Sequence, residues 1–275
     1  MFFLLKQLND TEPKLIGNFR QWYTINFSEG YCFNEIVKYS FTDYDARYFD
    51  DELKAMGVVG PPDCYLRYDQ NVFLLENKDI LIGANIKSGY DFEVLIEEIK
   101  KKLLAEGKKQ VGVGQIVTNM RKLLTGENTF DNGLAVNDAN IFPVIVLHDP
   151  MFDAPGLNKV MNSFYQEELK KLEVQGIPTG NLKPLTLINI DTLIQLAPAF
   201  KNKQVTLKEL LEAYPKLLKG AEGIEGLSFD QAEHLVREAT TPFSIFAINY
   251  MQAKFGGKWR SEELFAEMFR KSGID

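Results

Sequence analysis

The segment Phe142-Pro143-Val144-Ile145-Val146-Leu147 is apolar at every position. A strand with one face in water alternates polar and apolar residues, so an unbroken run of this length reads as a strand covered on both faces. Leu185-Thr186-Leu187-Ile188-Asn189-Ile190 is a second run of this kind. Helical spacing follows each of them, over 158–172 and 192–200, and strands that alternate with helices imply a mixed sheet with helices packed on its faces. A chain of 275 residues, 45% hydrophobic and 25% charged, has enough apolar surface to fill such a core.

The flanking segments extend this α/β pattern. Phe19, Trp22, Tyr23, Tyr31, Phe33, Ile36 and Val37 recur at helix-like intervals and predict two or three helices in the first sixty residues. Gly57 and Gly60-Pro61-Pro62 then force extended backbone before Asp63. Cys64–Tyr68 and Val72–Leu75, separated by the polar trio Asp69-Gln70-Asn71, predict an antiparallel hairpin. The alternation of Ile80, Ile82, Ala84 and Ile86 suggests a third strand. Phe92, Leu95, Ile96, Ile99 and Leu103 form one helical stripe, and a second helix runs from about Gly112 to Leu124. Beyond Asn202 the pattern is helical only, with Thr206, Ser228 and Ser261 placed as N-caps. The expected organisation is an α/β domain over 1–202 and a helical C-terminal appendage over 203–275.

Composition narrows the function classes. The apolar run Phe2-Phe3-Leu4-Leu5 is too short for a signal-peptide core or a membrane span, so a cytoplasmic protein without membrane contact is expected. Cys32 and Cys64 lack metal-ligand or redox spacing and read as reduced structural thiols. A net charge of −7 argues against affinity through blanket phosphate neutralisation. Lys100-Lys101-Lys102, Lys108-Lys109 and Arg121-Lys122 still allow a local basic face. His148 and His234 belong to no H-x-x-x-H arrangement, and the chain contains no C-x-x-C or G-x-S-x-G. Gly112-Val113-Gly114 lacks the third glycine of a dinucleotide loop and reads as a helix entry.

The remaining candidate is Glu76-Asn77-Lys78. Acid-x-lysine occurs six times, but only Glu76 follows a strand-like apolar run, shortly downstream of the sole Pro-Asp, Pro62-Asp63. Residues i and i+2 of a strand share a face, so Glu76 and Lys78 point together and Asn77 points away. A neighbouring strand starting at Asp63 would bring a second carboxylate across from Glu76. Two desolvated carboxylates repel each other, and a divalent cation is the usual remedy.

Pro62-Asp63, twelve intervening residues and Glu76-Asn77-Lys78 resemble the signature of the PD-(D/E)XK nuclease superfamily. The resemblance covers roughly residues 30–150, with the strand at 185–190 as an extension. It implies a restriction-endonuclease-like core and Mg²⁺ or Mn²⁺ held by Asp63 and Glu76 with the carbonyl of Asn77. Lys78 would activate water or offset charge on the phosphate. Gln115, in Gln115-Ile116-Val117-Thr118-Asn119-Met120, matches the glutamine that many members carry on the helix after the third strand, with Asn119 on the same face. An acid on the first core helix often assists, and Glu35 is the match, with Asp43, Asp45, Asp50 and Asp51 nearby. The implied activity is hydrolysis of DNA of unspecified strandedness, with basic residues of the 91–124 helices on phosphates, in restriction or antiviral defence. A homo-oligomer or a larger defence-type assembly would suit such a role. The competing reading is a nuclease-fold subunit that binds or assembles without cutting, against which the intact acid, acid, lysine set speaks.

Overall fold

The computed structural model describes residues 19–89, 91–107, 109–219 and 226–256. The Phe2–Leu5 run, Lys108 and the Ser261 cap lie outside the described residues. A five-stranded mixed sheet forms the centre, in the order β1 (Ala46–Phe49), β2 (Cys64–Tyr68), β3 (Asn71–Lys78), β6 (Asn140–Leu147) and β7 (Thr186–Asn189). β1, β2 and β3 pair antiparallel, whereas β6 lies parallel to both β3 and β7. A two-stranded ribbon, β4 (Ala105–Glu106) and β5 (Lys109–Gln110), stands apart.

The apolar runs take the central positions that two-sided burial demands. Every residue from Ile141 to Leu147 is buried, and so is every residue from Asn71 to Asn77. Their alternation sorts the side chains into two cores. Phe73, Leu75, Phe142, Val144 and Val146 face one core, while Val72, Leu74, Ile141, Ile145 and Leu147 face the other.

The first core is roofed by the end of a π-helical segment (Tyr23–Phe33) and by α2 (Asn34–Ser40), which follow the short α1 (Phe19–Trp22). It continues through α8 (Ile190–Lys201), α9 (Leu207–Leu218) and α11 (Phe243–Lys254). The second core receives α3 (Asp50–Ala55), α5 (Phe92–Leu103), α6 (Val113–Leu124) and α7 (Leu157–Val174). The remaining helices are the short α4 (Ala84–Lys87) and α10 (Phe229–Thr240), which opens with the Ser228/Gln231 capping box. Thr206 caps α9 through the Glu209 N–H. Of the helices beyond residue 203, α9 and α11 therefore share a core with the sheet.

Two expectations are corrected. Residues 80–86 form no strand: the chain leaves β3 as coil and turns into α4, with the N–H groups of Ile86 and Lys87 both donating to the Gly83 carbonyl. β3 already has β2 on one side and β6 on the other, so a strand following it directly finds no free edge of β3 to pair with. The additional strand is instead β1, inside the segment expected to be wholly helical. A strand also precedes the Gly112 helix entry, the short β5. Gly112 has a φ of 49°, and a Cβ there would stand 2.5 Å from the Leu103 carbonyl oxygen, so the turn into α6 requires glycine.

Candidate carboxylate and lysine site

Asp63 and β3 meet where β2 begins. Pro61 and Pro62 are buried and deliver the chain in extended form to Asp63, one residue before β2. The last antiparallel pair is Cys64 with Leu75, so beyond Leu75 strand β3 outruns its neighbour. The main-chain groups of Asn77 consequently have no β2 partner, and the Asp63 side chain takes the role. Asp63 Oδ2 accepts the Asn77 N–H at 2.7 Å. On the other edge Lys78 O accepts the His148 N–H at 3.4 Å. Main-chain groups of successive strand residues turn to opposite edges, which directs the Asn77 carbonyl toward the Asp63 side.

Glu76 and Lys78 share a face, as their spacing requires. Lys78 Nζ lies 2.5 Å from Glu76 Oε1. The Glu76 side chain is 0% exposed and that of Lys78 20%, so the lysine is the member of the pair that reaches solvent. Glu76 Oε2 is buried and makes no hydrogen bond. Asn77 points to the opposite face, where its Oδ1 lies 2.9 Å from His148 Nε2. His148 thus braces the strand from behind.

The electrostatics follow from burial. Desolvation pushes the Glu76 carboxyl up to about 8, the charge of Asp63 adds to this, and Lys78 opposes it. Burial likewise raises the Asp63 carboxyl, against the pull of Lys78 and the Asn77 N–H. For Lys78 burial acts downward, but the charges of Glu76 and Asp63 outweigh it and hold the ammonium above its ordinary value. The three groups titrate as one cluster.

The structure adds a residue that the sequence did not point to. Glu29, in the π-helical segment, is raised by burial, with Lys78 opposing and Asp63 contributing in the same direction. It also accepts a hydrogen bond from the Asp79 main chain. The segment is fastened there by Ser28, whose hydroxyl donates to Asp79 Oδ2 at 2.6 Å, and more loosely by Thr24 at 3.4 Å. Glu35 is not brought to the cluster. It lies on the exposed side of α2, paired with Lys38 Nζ at 2.9 Å.

Gln115 stands in the first turn of α6 with its Nε2 3.5 Å from the Pro61 carbonyl oxygen, over the turn that delivers Asp63. Asn119, one turn on, is buried and neither of its amide atoms has a partner. The basic groups of the neighbouring helices are largely countered: Lys100 by Glu97 at 2.8 Å, Lys102 by Glu98 at 3.9 Å, and Arg121 by Glu127.

No group of three or more His, Cys, Asp or Glu side chains among the described residues is arranged to hold a metal ion. The cluster offers two carboxylates. Magnesium is commonly held by one or two carboxylates, with water and substrate phosphates completing its shell, so a pair is a sufficient protein contribution. The unpartnered Glu76 Oε2 and the upward-shifted Asp63 and Glu76 carboxyls fit such an ion, because a divalent cation would stabilise the charged form that burial disfavours.

Fold and site together define an α/β protein whose mixed five-stranded sheet carries a buried carboxyl, a half-buried carboxyl and a lysine at one strand end. Comparison with protein-family models, with curated proteins and with solved structures finds no match in any of the three. No helix among the described residues is long and apolar enough to cross a membrane.

Proposed function

We propose that this chain is a divalent-metal-dependent nuclease with a restriction-endonuclease-like core that hydrolyses DNA phosphodiester bonds. The observation that carries the proposal is the convergence of Asp63, Glu76 and Lys78 at the end of β3, with Glu76 buried and Asp63 and Lys78 half-buried. Asp63, Glu76 and the Asn77 carbonyl would hold Mg²⁺ or Mn²⁺. The ion would supply Lewis-acid polarisation of the phosphoryl oxygen and a lowered pKa for bound water.

The protein's own groups have separate tasks. Asp63 is oriented by the Asn77 N–H, which fixes its carboxylate at the end of β3. Glu76, fixed by its strand, keeps a buried Oε2 that has no hydrogen-bond partner and is available to an ion. Lys78 is long enough to leave Glu76 and reach a phosphate oxygen, where an ammonium offsets charge that grows in the transition state. Gln115 would position water or substrate from α6. Glu29 adds negative charge that favours a cation over none. Trp22, Phe27 and Tyr31 are exposed on the adjoining helical stretch, where Phe27 packs against the Tyr23 and Tyr31 rings, and an aromatic surface of this kind suits contact with bases.

Purified protein is incubated with supercoiled, linear and single-stranded DNA in Mg²⁺ or Mn²⁺ and then with chelator. The expected result is cleavage that chelator stops and that Asp63→Ala and Lys78→Ala each reduce by roughly 10²–10³-fold. Cleavage that survives those substitutions removes the site assignment. Absence of cleavage on every substrate favours the binding or assembly subunit. In a melting assay Mn²⁺ should raise the Tm of the unaltered chain and leave that of Asp63→Ala unmoved, by linkage.

A further inference from the structure

At the other end of β3 lies a cavity of about 210 Å³ that the proposed chemistry does not use. Its walls are aromatic. Phe41 packs edge-on to Tyr44 at 5.3 Å between ring centres, Tyr44 meets Phe73 at 5.8 Å, and Phe41 meets Phe200 at 5.1 Å. Phe41, Phe73 and Phe200 are buried in the core, so these walls are rigid.

The rim is cationic: Lys201, Lys203 and Lys208 surround it with one acid, Asp43. Each lysine already has a contact. Lys203 pairs with Asp43, Lys208 stands 3.8 Å from Glu212, and Lys201 lies over the Tyr39 ring at 4.1 Å. The two ion pairs are solvent-exposed or loose, and such pairs exchange readily for a better anion. Ser40 contributes to the lining and carries a buried hydroxyl without a hydrogen-bond partner. An unsatisfied buried hydroxyl beside a cavity is a group that a ligand heteroatom can satisfy.

We infer that this cavity binds a heteroaromatic ring bearing an anionic group, of the kind a nucleoside monophosphate presents. The volume is below the roughly 300–1,000 Å³ of pockets that enclose a drug-sized ligand, so it admits one ring system and leaves the charged group at the mouth. The ring packs against the wall that Tyr44, Phe41 and Phe73 present to the cavity, where edge and face contacts with aromatic neighbours are favourable. The anion meets Lys203 and Lys208. The site is separate from the carboxylate cluster and does not depend on nuclease activity.

Calorimetric titration of the full chain in chelator tests this, since chelator removes metal-mediated binding at the carboxylates. The probes are adenosine 5′-monophosphate, adenosine, inorganic phosphate and a 5′-phosphorylated oligoadenylate. Saturable binding of the monophosphate is expected, with adenosine weaker by roughly tenfold or more and phosphate alone silent. The double substitution Lys203→Gln and Lys208→Gln, both at the surface, should weaken the monophosphate by roughly tenfold. Tyr44→Leu should weaken adenosine and monophosphate alike. Tighter binding of the oligoadenylate would identify a strand end as the natural ligand, and tighter binding of the monophosphate a free nucleotide; either upholds the site. Absence of saturable binding, equal binding of inorganic phosphate, or affinity untouched by both sets of substitutions overturns it.

Discussion

Glu76 concentrates the chemistry of this molecule in one carboxyl, because its strand position leaves Oε2 no partner and no water. Its ordinary value near 4.5 is raised to about 8 in the fold. Between those values the unfolded chain has lost the proton that the folded chain keeps, so the folded state binds more protons and stability falls as pH rises. Below the window both states are protonated and the contribution is fully present; above it the loss is complete. Asp63 and Glu29 face the same cluster and are raised too, so they act in the same sense, whereas Lys78 is held above its usual value and titrates at higher pH. The unfolding free energy of the metal-free protein should therefore decline from about pH 5 to about pH 8, and Glu76→Gln should show a smaller decline. Identical slopes in urea titrations of the two proteins would refute this account of the burial. Glu29 and Glu35 provide a second contrast between single residues. For the nuclease activity proposed above, Glu29→Gln should lower the cleavage rate by roughly tenfold, less than the loss of a group placed on the reacting phosphate, and Glu35→Gln should leave it unchanged. Equal rates for the two variants in single-turnover assays would count against a part for Glu29.

At the scale of elements the decisive piece is the π-helical segment, which brings Glu29 to β3 and is anchored by the Ser28 to Asp79 hydrogen bond. Ser28 is buried and its acceptor is a carboxylate, so Ser28→Ala should cost about 1.5–3 kcal/mol. Thr42→Ala, which removes an exposed local bond to Asp43, should stay within about 0.5 kcal/mol. Urea midpoints measure both, and equal shifts would mean that the Ser28 bond is no anchor. The same segment explains why one acid could not be read from the sequence. The family resemblance selects Glu35, the acid beside Phe33, Ile36 and Val37 on the first core helix. The wider π-helical turn changes which residues face the sheet, and Tyr23–Phe33 has no apolar stripe to reveal this. The strands were legible where burial is two-sided, as in β3, β6 and β7, and the period of two placed Glu76 and Lys78 on one face. β1 is short and lies at the sheet edge, with too few residues to set a pattern. Residues 80–86 alternate convincingly, yet only tertiary context shows that the sheet has no edge left beside β3. Asp63 could be foreseen from Pro-Asp, whereas its bond to the Asn77 N–H arises because β2 stops short of β3, a fact of register.

Over the whole molecule, the sequence suggests a division at residue 202, and packing joins the two parts. Leu207, Leu210, Leu211 and Tyr214 of α9 and Phe243, Phe246, Ala247 and Met251 of α11 belong to the same core as Phe73, Leu75, Phe142, Val144 and Val146 of the sheet. Tyr214 hydrogen-bonds the Thr241 carbonyl at 2.7 Å, and Tyr250 reaches Glu209 at 2.7 Å, so the two helices brace each other over that face. Uncovering a large buried side chain costs about 1.5–3 kcal/mol, and several uncovered together exceed the roughly 5–15 kcal/mol that holds a typical domain folded. A chain ended after Asn202 should consequently lose cooperative folding rather than yield a trimmed but active core. Its near-ultraviolet circular dichroism should be flat and its thermal transition absent, while the full chain should unfold in one step at matched concentration. A truncated protein with a sharp transition would show that the sheet and its remaining helices are self-sufficient. The requirement has a chemical consequence, because the face that α9 and α11 cover is the reverse side of β3, the side from which His148 holds Asn77 and hence Asp63 in place. Stability at the C-terminal helices and geometry at the carboxylates are two properties of one strand.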